Sequence, residues 1–192
     1  MDITELHETI TAIEHRNAST LSKKRVRHIQ RVRKTALGLA RRFHVSPAPV
    51  DLAAVAHDMD RELTDAEYVS LAGTIGLEIG TQERSKPVLL HGAVAAWRLE
   101  HEYDVTDESV LLAVRHHTFG DPRLGDIGLI LYTADYVEPG RKYLDDSDRR
   151  KILSMKTLAE IVVGVIEHSR SRYSGIDSRT DALYRSLVVK SQ

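Results

Sequence analysis

His28, the adjacent pair His57–Asp58, His91, His117 and Asp135 recur in that order along a chain that otherwise reads as one helix after another. Imidazole nitrogens and carboxylate oxygens brought together from separate helices make a ligand set for divalent cations, the first requirement of metal-assisted hydrolysis. The set predicts a metallohydrolase. Adjacent helical residues point about 100° apart, so His57 and Asp58 do not form one chelating face, but an aspartate has two oxygens and Asp58 can bridge two cations. Two cations about 4 Å apart that share a carboxylate and a hydroxide suit in-line displacement at phosphorus. A phosphate ester or anhydride is the expected substrate. His116 competes with its neighbour His117 for the ligand role.

The absence of cysteine removes disulfides, thiolate nucleophiles and sulfur ligands, which leaves His, Asp, Glu and water for any metal. The 192 residues suit one domain. Acidic residues at the start predict no secretory signal, and no stretch is apolar enough to span a bilayer, so a soluble, cytoplasmic protein is expected. Net charge is −1, yet Lys23 to Arg42 holds nine Lys or Arg and no acid. That run reads first as a solvated face, and secondly as a lure for polyphosphate or RNA. No Glu-x-x-His, phosphate-loop glycine pattern or serine-hydrolase elbow is present.

These side chains need helices to position them. Apolar residues at spacings of three and four predict an amphipathic helix over 22–43. Pro47 to Pro49 reads as its breaker and Asp51 as the cap of a short apolar helix ending at His57–Asp58. Thr64 with Glu67 forms a capping box for a helix over 65–79. Further helices are expected over 86–102, over 107–117 behind Thr106, from the cap Asp126 to Asp135, and over 148–172 and 178–190. The N-terminal stretch is a polar helix or a frayed tail.

The segments AAVAHDMDREL, LLHGAVAA, AVRHHTFGDP and LYTADYVEPGR resemble the HD-domain phosphohydrolases, most closely the YqeK-type symmetrical diadenosine tetraphosphate hydrolases, across roughly residues 22 to 172. The resemblance implies an all-α HD-domain helical bundle over 22–192, with 1–21 as an extension or helix. It also implies a centre of two divalent ions, iron first, with manganese, cobalt or zinc as substitutes. It matches metal ligands to His28, His57, Asp58, His91, His117 and Asp135, with one ion on His28, His57, Asp58 and Asp135 and the other on Asp58, His91 and His117. The implied reaction cuts diadenosine tetraphosphate into two ADP by a metal-bridging hydroxide, with Asp58 and Arg61 as catalytic residues. Arg61, Arg141, His116 and Arg123 are the expected substrate contacts.

The chain departs from the family pattern at Ile29, Arg31, Gly128 and Leu129, and Arg61 stands where a lysine is usual. Guanidinium groups grip phosphate bidentately and can replace a missing lysine. Tyr132 and Tyr136 read as core before they read as an adenine platform. His7, His15, His44, His101 and His168 read as surface residues. Two rivals accompany this reading: the same chemistry on another nucleotide, and a non-catalytic helical module, stabilised by metal, that binds RNA or a partner. The sequence is also compatible with a homodimer.

Overall fold

A computed structural model describes residues 2–172 and 177–190, and among these every regular element is helical. The most apolar segment lies at the centre. Helix α3 (Pro47–Ala56) buries Val50 and the whole run Leu52 to Ala56, as a helix that is hydrophobic all round must. It packs against α1 (Ile3–Thr20), α2 (Lys23–Arg42), α7 (Glu108–His116) and α8 (Asp126–Val137). Pro47 and Pro49 start this helix rather than break the chain, because Pro47 sits in the first turn, where a missing N–H costs nothing. Asp51 is therefore inside the helix, where it takes the Arg33 guanidinium through two hydrogen bonds of 2.7 and 2.8 Å.

The N-terminal stretch is a capped helix. Asp2 accepts from the backbone of Thr4 and Glu5, and Ile10, Ile13 and Asn17 are buried on the face turned to α3. On α2, four of the nine cations turn inward or onto neighbouring backbone instead of forming a solvated face. Arg25 bonds Asp58, Arg31 bonds Glu138, Arg33 bonds Asp51, and Arg42 bonds the carbonyls of Leu153 and Met155.

Two expected helices prove to be broken. The segment over 65–79 ends as α4 (Asp65–Thr74), where Gly76 takes φ +68°, a conformation open to glycine. A short α5 (Thr81–Ser85) and a 3₁₀ turn, Pro87–Leu90, then lead into α6 (His91–Glu102). The run over 148–172 divides into α9 (Asp146–Leu153) and α10 (Leu158–Arg172). Glu160 accepts from the backbone N–H groups of Lys156 and Thr157, both at 2.9 Å, a local cap that starts a new helix instead of continuing the old one. Caps also shift by one residue: Asp107 rather than Thr106 caps α7, and Asp126 is the first residue of α8 behind Gly125. The final helix, α11 (Ser178–Lys190), packs on α10. No described helix is long and apolar enough to cross a membrane.

Candidate metal centre

The six candidate ligands come from five places, and four of them lie at helix ends: His57 caps α3, Asp58 follows it in the turn, His91 opens α6 and His117 caps α7. His28 comes from the second turn of α2 and Asp135 from the last turn of α8. One local device orients three of the rings. His57 Nδ1 donates to the Ala54 carbonyl at 2.8 Å, and His91 and His117 donate to Val88 and Val114, each at 2.7 Å. A carbonyl only accepts, so Nδ1 carries the hydrogen and Nε2 keeps its lone pair. On His28 the same task falls to Glu138, whose Oε1 is 3.1 Å from Nδ1. Such outer partners fix ring orientation and basicity in metal sites.

The Nε2 atoms converge in two pairs. His28 and His57 are 3.4 Å apart, and His91 and His117 2.9 Å. Asp58 divides its oxygens between them. Its Oδ2 lies 3.4 and 3.5 Å from Nε2 of His28 and His57, while Oδ1 lies 3.3 and 3.9 Å from Nε2 of His91 and His117. Two groups that could hold a metal ion result, His28–His57–Asp58 and Asp58–His91–His117, every member buried. Asp135 adjoins the first group, with Oδ1 3.1 Å from His28 Nε2. Borderline nitrogen donors with Nδ1 already bonded, around a carboxylate with an oxygen for each pair, fit divalent transition ions.

Electrostatics follow from this crowding. Burial, then repulsion from the neighbouring ring, pushes His91 down to about 3 and His117 down to about 4, so both are neutral donors at physiological pH. Burial disfavours a charged His28 too, but its hydrogen bonds to Asp135 and Asp58 prevail and lift it to about 9. The carboxylates that hold that proton are the groups that would attract a divalent ion in its place. Burial would raise Asp58 and Asp135, yet the histidines around both, with Arg141 beside Asp135, hold them well below the usual carboxylate range.

The expected substrate contacts separate. Arg61 Nε is 3.7 Å from Asp58 Oδ1, and Arg141 pairs with Asp135 while its Nη2 reaches within 3.5 Å of His28 Nε2. Both flank the cluster. His116 turns the other way, toward Asp121 at 3.8 Å and a neighbouring cavity. Arg123 is 69% exposed and bonds Asp121 through Nε and Nη2, both at 2.8 Å, so the structure does not bring it to the cluster. Tyr132 is buried in the core, as is Leu129 at the position of the missing lysine. His168 is not a plain surface residue: Nδ1 meets the Tyr136 hydroxyl at 2.8 Å and Nε2 lies 3.4 Å from Asp148.

Four functional neighbours escape the sequence reading. Arg25 Nη1 is 2.6 Å from Asp58 Oδ2, and the sign that could have found it is its place three residues before His28, on the same face of α2. Glu138, three residues after Asp135, carries the same kind of sign. Thr118 places its Oγ1 3.4 and 3.3 Å from Nε2 of His91 and His117. Asp60, fully buried, is gripped by Arg16 at 2.7 Å and Arg98 at 3.2 Å, while the Tyr68 hydroxyl donates to its carbonyl at 2.5 Å. That clamp secures the turn bearing Asp58 to α1, α4 and α6, and only the fold reveals it.

Gly92 sets the spacing of the second pair. A Cβ there would stand 2.9 Å from the carbonyl oxygens of both Val114 and Arg115 and 3.3 Å from His117 Cε1. Backbone cannot give way as a side chain can, so Gly92→Ala should separate α6 from α7. The expected cost is about 1–3 kcal/mol of stability, with weakened metal retention at His91 and His117. A thermal melt and metal counting read both; an unchanged melt with full occupancy would show that the two helices have slack.

No family model matches the chain. It is 35% identical over 126 residues, 63% of its length, to a symmetrical bis(5'-nucleosyl)-tetraphosphatase of Staphylococcus aureus, and the match spans 62% of that protein. Identity to the Bacillus subtilis protein of the same description is 30% over 132 residues, covering 69% of this chain and 70% of the relative. The chain belongs to this family. A crystal structure from Clostridium acetobutylicum, described as a predicted HD superfamily hydrolase involved in NAD metabolism, superposes with a TM-score of 0.82 over 94% of this chain and 97% of that one. At 22% identity it establishes a shared fold, the HD fold, so the expected all-α HD-domain bundle is the observed architecture. In this tetraphosphatase family member, the four quoted segments supply all the candidate ligands except His28, and they meet at one point of that fold.

Proposed function

We propose that the protein is a phosphohydrolase that cuts a dinucleoside tetraphosphate, diadenosine tetraphosphate first, between its two inner phosphates to leave two nucleoside diphosphates. The observation that carries this reading is the division of Asp58, one oxygen to each histidine pair, inside a rim of guanidinium groups. His28, His57, Asp58 and Asp135 would hold one divalent ion and Asp58, His91 and His117 the other, with iron first because the family resemblance implies it. When bound, such ions supply an acidified water and counter-charge for phosphate. The activity for which the Staphylococcus aureus and Bacillus subtilis relatives are named supports the substrate class.

The remaining tasks belong to the chain. Glu138 and the three helix carbonyls fix the rings, so no reorganisation is needed when charge develops. Arg25 and Arg61, both on Asp58, and Arg141, on Asp135, would grip successive phosphates and place the inner pair beside the centre. Water then bonds through its oxygen to an inner phosphorus and gives up a proton to solvent, while the bond from that phosphorus to the bridging oxygen breaks and the bridging oxygen leaves on the other nucleoside diphosphate. The expected products from diadenosine tetraphosphate are ADP and nothing else. Chromatography after turnover in heavy-oxygen water, with iron or manganese supplied anaerobically, checks this. AMP with ATP would refute symmetrical cleavage, and no turnover with any metal would refute the enzyme.

A further inference from the structure

A cavity of about 400 Å³ lies beside the centre, within the size range of small-molecule pockets. Thr118 belongs to both, since it lines the cavity while its hydroxyl meets His91 and His117. The floor is built from the two ligand-bearing helix ends, Leu89, Leu90 and Ala93 on one side and Arg115 and His116 on the other. Ile79 and Phe119 extend the apolar wall, and Glu78 and Glu83 bring carboxylates to it. Arg179 covers Phe119, 3.9 Å from the ring centroid, and its charge is taken up by Glu83 at 2.8 Å and by Asp177 at 2.8 and 3.0 Å.

This lining divides the labour of binding. Phosphates are drawn to Arg25, Arg61 and Arg141 at the centre, whereas the cavity lining sets two acids, Glu78 and Glu83, against two cations, Arg115 and Arg179, of which Arg179 is already paired with Glu83 and Asp177. A flat, uncharged body with hydroxyl and amine donors suits the cavity: apolar faces hold its ring and the carboxylates accept its hydrogens. We propose that the cavity receives one nucleoside of the dinucleotide, with the base against Leu89, Ala93 and Phe119 and donors directed at Glu78 and Glu83. The proposal rests on the phosphohydrolase reading above and gives His116 its place, as part of the nucleoside wall.

The test uses the full chain loaded with manganese, with ADP as the probe and inorganic pyrophosphate as the control lacking a nucleoside. Ala93→Phe fills the cavity from α6, and Leu89→Trp fills it from the 3₁₀ turn. In either folded variant ADP affinity should fall about tenfold or more, while pyrophosphate affinity stays at the wild-type value. Equal ADP affinity, parallel loss of both ligands, or no ADP binding to the wild-type chain would overturn the proposal. A measurement on the wild-type chain needs no variant: ADP, and not pyrophosphate, should protect His116 from carbethoxylation, and lack of protection counts against the site. Selective ADP binding at the cavity without turnover of any dinucleoside polyphosphate would sustain the subsite and refute the hydrolase reading alone.

Discussion

Asp58→Ala should strip both ions from the protein and lower phosphohydrolase turnover by at least about a thousandfold, the scale of removing one preorganised electrostatic element. The cause lies in the two oxygens. Oδ2 serves the His28–His57 pair and Oδ1 the His91–His117 pair, and among the described residues Asp58 is the member common to both groups. His91→Ala removes a donor from the second group only and should leave about one ion per chain. Metal counting on the two purified variants tests the difference. Arg25 would lose its 2.6 Å partner in Asp58→Ala, so Asp58→Asn, which keeps an oxygen for that guanidinium, guards against a loss that comes from misfolding. Two ions per chain in folded Asp58→Ala would end the bridging assignment.

The adjacent histidines should differ by orders of magnitude. His117→Ala is expected to abolish activity, because its Nε2 lies 2.9 Å from that of His91 and within reach of Asp58. His116→Ala should cost far less in kcat and raise KM, because its ring faces Asp121 and the cavity. The opposite ranking would move the ligand to His116 and turn the last residue of α7 about 100° from its described position. Full steady-state kinetics on both variants, with metal content measured alongside, decides the register.

The central residues were legible because each belongs to a strong local pattern. The order of the histidines and aspartates and their resemblance to one family single out the six candidates, the cost of burying an unpartnered carboxylate in an apolar helix adds to the case for Asp135, and the fold brings the six close together. Spacing could not show how the rings are held. The Nδ1 bonds run to backbone carbonyls three residues back, and backbone carries no signal in sequence. Arg25 and Asp60 were hidden for another reason: charged side chains are ordinarily solvent-exposed, and only tertiary packing shows Arg25 at Asp58, or Asp60 clamped by Arg16 and Arg98. The misjudged helix starts and breaks share one origin. Proline, glycine and capping carboxylates act over a single turn, and the same residue type can start a helix or end one.

Asp58 lies two residues from Asp60, whose buried carboxylate is held by two guanidiniums and whose backbone carbonyl accepts from a tyrosine, the three partners coming from three helices. The catalytic turn therefore has no freedom of its own. Tyr68, Ala72, Leu90 and Val94 form a second apolar cluster, separate from the main core, beside Leu77 and Ile79. A small cluster with few buried partners opens at lower free energy than the core around it. That satellite is tied to the centre from two sides, since the Tyr68 hydroxyl holds the Asp60 carbonyl beside Asp58 and Leu90 directly precedes His91. A substitution in the satellite therefore registers at the histidines and Asp58 as well as at the cavity wall that Ile79 and Leu90 share with it.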